Sequence, residues 1–269
     1  MPYLSDARPL IQDAFEKKYT IPAMNVCSAE MVRACVEAAH EENAPLILQT
    51  YPADILQIAR EPMVALVKSY ADSVDVPIAL HMDHGESFDM DIACIRAGYS
   101  SVMLDGESMP TEEVIGECRR LAYVAHIAGV AVEVGAESFN VGKVQFTKPE
   151  NALRLKEEGH ADMIAVSIGT EHGQKADLQI ELLKDIYETV KHPLVIHGGS
   201  GVSAEEYAEA RKYGVVKANI GAAQYRTLRA VWNASHDAAN HREVYERVRA
   251  ALKAVVKEKI VIMGAAGQA

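Results

Sequence analysis

Along the chain, short apolar runs of strand length alternate with longer segments in which apolar residues recur near every 3.6 positions. The runs predict eight strands: Pro22–Val26, Pro45–Thr50, Val76–His84, Ser101–Asp105, Val130–Gly135, Met163–Gly169, Pro193–Gly199 and Val215–Ile220. The segments between them read as helices. They open at signals such as Ser28-Ala-Glu-Met and close near a glycine or an X-Pro pair, as at Gly98 and at His192-Pro193. The strands are apolar enough to be buried on both faces, and no Gly/Ser-rich linker divides the chain. The pattern therefore predicts one α/β domain over residues 1–269, a parallel (β/α)8 TIM barrel, rather than two doubly wound sheets.

Length agrees with this, since 269 residues suit one such barrel. Lys+Arg minus Asp+Glu is 27 − 38 = −11, which removes the positive footprint that nucleic-acid or anionic-membrane binding needs. The expected partners are small molecules or other proteins. Cys27, Cys35, Cys94 and Cys118 form no C-x-x-C pair or disulfide framework, so free thiols in a reducing cytoplasm are expected. The N-terminal stretch is charged throughout and lacks a signal-peptide pattern, and no apolar run reaches the roughly 18 residues of a membrane span. A cytoplasmic protein is expected.

In a parallel barrel the chemistry gathers at the C-terminal ends of the strands. Those ends carry Asn25, Gln49 and Thr50, His81-Met-Asp83-His84, Asp105, Glu133, Gly169-Thr-Glu-His172-Gly173, His197-Gly198-Gly199-Ser200-Gly201, and Asn219. A lone histidine at a strand end is more often structural than catalytic. Three on one rim, His84, His172 and His197, suit a zinc ion with an open position for substrate. His81 lies deeper and reads as a core histidine or a fourth ligand. His197-Gly-Gly-Ser-Gly is either an ordinary βα turn or a phosphate-binding loop. Its place after strand seven, next to Asn219-Ile-Gly-Ala222, favours phosphate. The other histidines fall in helices or turns. Trp232, Tyr225 and Leu228 read as helix packing, and Glu41-Glu42, Glu112-Glu113 and Glu205-Glu206 as solvated helix positions.

Over nearly the whole chain these residues resemble the class II, zinc-dependent fructose- and tagatose-bisphosphate aldolases. The resemblance is carried by Val76-Pro-Ile-Ala-Leu-His-Met-Asp-His-Gly85, Ser101-Val-Met-Leu-Asp-Gly106, Ala165-Val-Ser-Ile-Gly-Thr-Glu-His-Gly173 and Pro193-Leu-Val-Ile-His-Gly-Gly-Ser-Gly201. It implies one catalytic Zn2+ on His84, His172 and His197, with Asp83 as general acid/base at the substrate's C4 oxygen. It also implies a cradle for dihydroxyacetone phosphate in Gly173, Gly198, Gly199, Ser200, Asn219, Ile220, Gly221 and Ala222. Asp105 and Glu133 match a secondary metal location; Asn25, at the end of strand one, is a further candidate by its position alone. Arg242 aligns with an arginine that meets the far phosphate, in the family from a neighbouring subunit. A homodimer or homotetramer, a sugar phosphate substrate and room for a monovalent cation follow from the same resemblance.

The match fails in four places. After strand five the family's Gly-Gly loop with Glu-Asp is replaced by Gly135-Ala-Glu137-Ser-Phe-Asn-Val-Gly-Lys-Val-Gln145, which leaves Glu137 as the nearest carboxylate. A Tyr-Lys after the second histidine becomes Lys175-Ala176, a phosphate-loop Thr becomes Ala222, and an Asp-Pro ahead of the arginine becomes Asn240-His241. Losing one hydrogen bond to a phosphate costs about 1–3 kcal/mol, too little to abolish a site built from several backbone donors. These changes favour a ketose 1-phosphate that yields a small unphosphorylated aldehyde, of the 5-deoxyribulose or 5-methylthioribulose 1-phosphate type. Alternatives are a fructose- or tagatose-1,6-bisphosphate aldolase, a non-catalytic sugar-phosphate binding protein, and a metal-dependent epimerase or isomerase.

Overall fold

The computed structural model describes residues 3–107, 109–135, 145–170, 174 and 177–269. Eight parallel strands close on themselves in chain order: β1 (Ile21–Asn25), β2 (Leu46–Thr50), β3 (Ile78–Gly85), β4 (Ser101–Asp105), β5 (Ala131–Gly135), β6 (Met163–Ala165), β7 (Leu194–Ile196) and β8 (Val215–Ile220). The barrel shuts where Ala23 of β1 lies opposite Asn219 of β8.

The outer layer comprises α1 (Arg8–Lys17), α2 (Ala29–Glu41), α3 (Pro52–Ile58), α4 (Arg60–Ala71), α5 (Phe88–Ala97), α6 (Thr111–Ala128), α7 (Pro149–Glu157), α8 (Ile180–Val190), α9 (Ala204–Ala210) and α10 (Ala222–Ala234). An extra helix, α11 (His241–Ile262), follows. Their starts obey simple capping chemistry. Ser28 Oγ accepts the Met31 amide at the head of α2, and Ser87 Oγ accepts the Met90 amide at the head of α5. Met31, Val32, Cys35, Val36 and Ala39 of α2 recur at helical spacing and are buried. The extra helix packs along α2 through Leu252, Val256 and Ile260, which are fully buried.

Because helices cover the outside and side chains fill the inside, almost every strand residue is buried, which explains the near-continuous apolar runs. β6 and β7 are shorter than the sequence suggests, ending at Ala165 and Ile196 instead of Gly169 and Gly199. The Val166 amide still donates to Val195 O of β7, and past it the backbone finds other partners: Ser167 O accepts the Thr147 amide and Ile168 O accepts the Gln179 amide. Past Ile196, Gly198 takes a left-handed conformation at φ 66° and a 3-10 turn spans Gly199–Gly201. Among the described residues, no helix is long and apolar enough to cross a membrane.

Candidate active site

Successive strand residues point to opposite faces of a sheet, so Asp83 and His84 could not both face the barrel mouth from a regular strand. The ladder between β3 and β4 slips between Met82 and Gly85, and His84 sits at φ 57°, in the left-handed region. That irregularity brings His84 to the same side as Asp83, with His84 Nε2 3.9 Å from Asp83 Oδ1. A left-handed backbone at a residue with a side chain costs about 1–3 kcal/mol and is characteristic of functional positions.

Two histidines meet at this point. His84 Nε2 lies 3.0 Å from His197 Nδ1, while the remote nitrogen of each ring contacts a carboxylate: His84 Nδ1 to Asp105 Oδ2 at 2.7 Å and His197 Nε2 to Glu133 Oε1 at 2.9 Å. The carboxylates accept the ring protons and thereby turn the other two nitrogens toward each other. Two nitrogens facing at 3.0 Å need a proton or a cation between them. Burial would lower the His84 pKa, but Asp83 and Asp105 outweigh it and lift it to about 9, so in the absence of a cation a proton fills that role. His197, fully enclosed, is pushed down by burial, with Glu133 opposing.

The ligand atoms of Asp83, His84 and His197 all lie within 4.8 Å of one another. Nitrogen and carboxylate donors at this spacing, with each ring held from behind, fit a divalent cation such as zinc. His172, the third histidine expected there, lies outside the described residues, as do Gly173, Glu137, Lys175 and Ala176.

Asp83 is held on both oxygens: Gln49 Nε2 donates to Oδ2 at 2.9 Å and Asn219 Nδ2 to Oδ1 at 2.7 Å. Gln49 also donates to Asn25 Oδ1 at 2.9 Å. Burial raises the Asp83 pKa, yet the positive potential of His84 and His197 lowers it overall. Beneath lie Lys217 and Glu133, an ion pair at 2.9 Å with both side chains fully buried. Burial alone would raise Glu133, but Lys217 and His197 pull it well below the usual carboxylate range. His81, also fully buried, contacts Ser101 Oγ through Nδ1 at 2.8 Å and does not line the mouth. Burial and Lys217 lower its pKa to about 3.

Above the site is a cavity of about 500 Å³. Asn25, Asp83, His84 and Asp105 form one part of its wall, and Gly198, Ser200, Asn219, Gly221 and Ala222 another. Of the expected cradle, Gly199 and Ile220 are buried and absent from the lining. Gly199 is tight against its neighbours, since a Cβ there would come within 2.5 Å of Tyr207 Oη. Arg242 opens the last helix, exposed and away from the cavity lining.

Tyr225, expected as helix packing, does pack from α10 against the core, and it also reaches the site. Its hydroxyl donates to Asp54 at 3.1 and 3.0 Å, and Tyr225, Asp54 and Tyr51 all line the cavity. No local pattern marked Asp54, which lies in a helical segment. Lys217 was also missed, although it carries a signal: a lysine inside an apolar strand, two residues before Asn219 and so on the same face.

The chain matches the family model described as fructose-bisphosphate aldolase class-II over residues 5–268. Among solved structures it is similar to the YdjI aldolase from Escherichia coli K12, with 29% identity, a TM-score of 0.90 and 99% of each chain covered. A fructose-bisphosphate aldolase from Campylobacter jejuni shares the fold at 22% identity and a TM-score of 0.85, covering 99% of this chain and 96% of that one.

Proposed function

The chain belongs to the class II fructose-bisphosphate aldolase family, and from that premise we propose that it cleaves the C3–C4 bond of a ketose 1-phosphate, releasing dihydroxyacetone phosphate and a small unphosphorylated aldehyde. The observation that carries the reading is the pair of facing imidazole nitrogens, each ring backed by a carboxylate, beside an Asp83 anchored on both oxygens.

His84 and His197, with His172, would hold a divalent cation, Zn2+ in this reading. When bound, it supplies a Lewis acid for the substrate's carbonyl and neighbouring hydroxyl oxygens. Asp83 does the proton work. Its lowered pKa keeps it ionised at neutral pH, ready to take the C4 hydroxyl proton as that carbon becomes an aldehyde and to return it in the aldol direction. Gln49 and Asn219 hold its carboxylate in one orientation, so little reorganisation is needed on reaction. Gly198, Ser200, Gly221 and Ala222 supply backbone beside the N-terminus of α10, which suits the C1 phosphate.

The preference for an unphosphorylated aldehyde rests on the lining. Asp54, Asp83, Asp105 and Glu107 contribute to it, and no Lys or Arg does among the described residues. A second phosphate would meet carboxylates, which like-charge repulsion disfavours.

The test is a coupled assay for dihydroxyacetone phosphate across 5-deoxyribulose 1-phosphate, 5-methylthioribulose 1-phosphate, fructose 1,6-bisphosphate and tagatose 1,6-bisphosphate, with and without chelator. Cleavage of a monophosphate that stops on chelation is expected. A clear preference for either bisphosphate overturns the substrate assignment, and cleavage that persists in chelator overturns the cation.

A further inference from the structure

Lys217 lies at the floor of the site, and the reaction does not call on its charge. Its side chain is fully enclosed inside the barrel, and its Nζ donates to Glu133 Oε2 at 2.9 Å and to Asn219 Oδ1 at 2.6 Å. Both partners reach the chemistry. Asn219 donates from its amide nitrogen to Asp83 Oδ1 at 2.7 Å, and Glu133 Oε1 accepts from His197 Nε2 at 2.9 Å.

A carboxamide can rotate by a half turn and exchange oxygen for nitrogen. With its oxygen toward Asp83, Asn219 would set two acceptors against each other and leave Asp83 without that donor. An ammonium has donors only, so Lys217 permits just one of the two orientations. The same ammonium balances the buried charge of Glu133, which without it would be an uncompensated carboxylate in the barrel interior.

We infer that Lys217 is a positioning residue: from beneath the mouth it fixes the carboxamide of Asn219 and the carboxylate of Glu133, and through them the orientations of Asp83 and His197. Lys217 touches neither substrate nor cation. The inference rests on the aldolase reading only for its kinetic readout.

Three comparisons test it. Lys217→Met is expected to lower kcat about 10–100-fold, the usual cost of losing a supporting hydrogen-bond partner, with KM for the sugar phosphate little changed. Because this substitution strips Glu133 of its balancing charge and could unfold the barrel, Lys217→Met is also made on Glu133→Gln. That double variant is expected to melt with Glu133→Gln alone yet retain the loss of kcat. On Asn219→Ala, the substitution is expected to cost kcat clearly less than it does in the wild type, since additive effects of independent residues would carry over undiminished. Wild-type kcat in Lys217→Met, restored kcat in the Glu133→Gln background, or an undiminished loss in the Asn219→Ala background overturns the role. Zn2+ titration against a chelating dye reads the His197 arm without turnover. Lys217→Met is expected to weaken Zn2+ binding about 10–100-fold, and an unchanged affinity overturns that arm even if the wild-type protein cleaves none of the sugar phosphates tried.

Discussion

Asp83 concentrates the proposed chemistry in one side chain. It faces the cavity, is held by Gln49 and Asn219, and lies next to the facing imidazoles. Asp83→Asn keeps the shape and removes the base, so kcat for release of dihydroxyacetone phosphate should fall by about 10²–10⁴-fold, the range of a lost general acid/base. Zn2+ binding should survive through the histidines, and a dye titration would show it. Retained turnover in this variant would move the proton work elsewhere.

A second carboxylate behaves in the opposite way. Asp91 on α5 is fully buried, and neither of its oxygens has a hydrogen-bond partner among the described residues. Burial raises its pKa well above 3.8. A carboxyl whose folded-state value exceeds its unfolded value is harder to ionise in the fold than in the unfolded chain, so the penalty is absent below about pH 4, grows as pH rises above that, and levels off once the raised folded value is passed. Asp91→Asn should therefore be more stable than the wild type at pH 7, by about 1–3 kcal/mol, with the gain shrinking toward pH 4. Denaturant titrations at the two pH values check this, and a gain that is equal at both excludes ionisation as the cause.

Among the elements, the added C-terminal helix shows which contacts matter. Its apolar stripe, Leu252, Val256 and Ile260, is fully buried, whereas Lys253 and Lys257 form ion pairs with Glu37, Glu41 and Glu42 at the surface. Leu252→Ala should cost about 2–5 kcal/mol through lost burial and the cavity left behind. Lys253→Ala should cost less than about 1 kcal/mol, because exposed pairs are screened by solvent. Urea titrations would rank the two, and comparable losses would mean that the helix is held by charge. The short β6 and β7 belong to this scale too. Their apolar runs continue beyond the ladder because residues such as Ile168 remain buried while their backbones bond to loops. Hydrophobicity reports burial, and here burial outlasts strand pairing.

At the scale of the whole molecule, His84 lies in β3 and His197 directly follows β7, on different sides of the barrel. A cation shared between them ties distant parts of one fold together and binds the folded chain in preference to the unfolded one. Zn2+ at about 100 times its Kd should raise the unfolding free energy by about 2.7 kcal/mol. Thermal melts with Zn2+ and with chelator would reveal the shift, and it should be absent in a His84→Ala/His197→Ala double variant. An equal shift in that variant would place the cation elsewhere. The net charge of −11 does not oppose an anionic substrate under this arrangement, since a cation and backbone N–H groups supply local positive potential that the total conceals.

Much of this was legible in the chain. Eight apolar runs separated by helical segments point to a closed parallel barrel, because strands buried on both faces need helices packed over the sheet and eight such units suffice to close it. Position at strand ends marked Asp83, His84, Asp105, Glu133, His197 and Asn219, because the topology sends all eight ends to one rim. What the sequence could not specify depends on contacts between residues far apart in it. The left-handed turn at His84, which puts two consecutive residues on one face, arises from a slip in pairing with the next strand. That Asp105 and Glu133 stand behind the histidine rings, that Tyr225 reaches across to Asp54, and that Lys217 joins Glu133 to Asn219 are likewise matters of a few ångströms between separate strands. Periodicity determines which face a residue occupies, and only the packed barrel determines which neighbour it meets there.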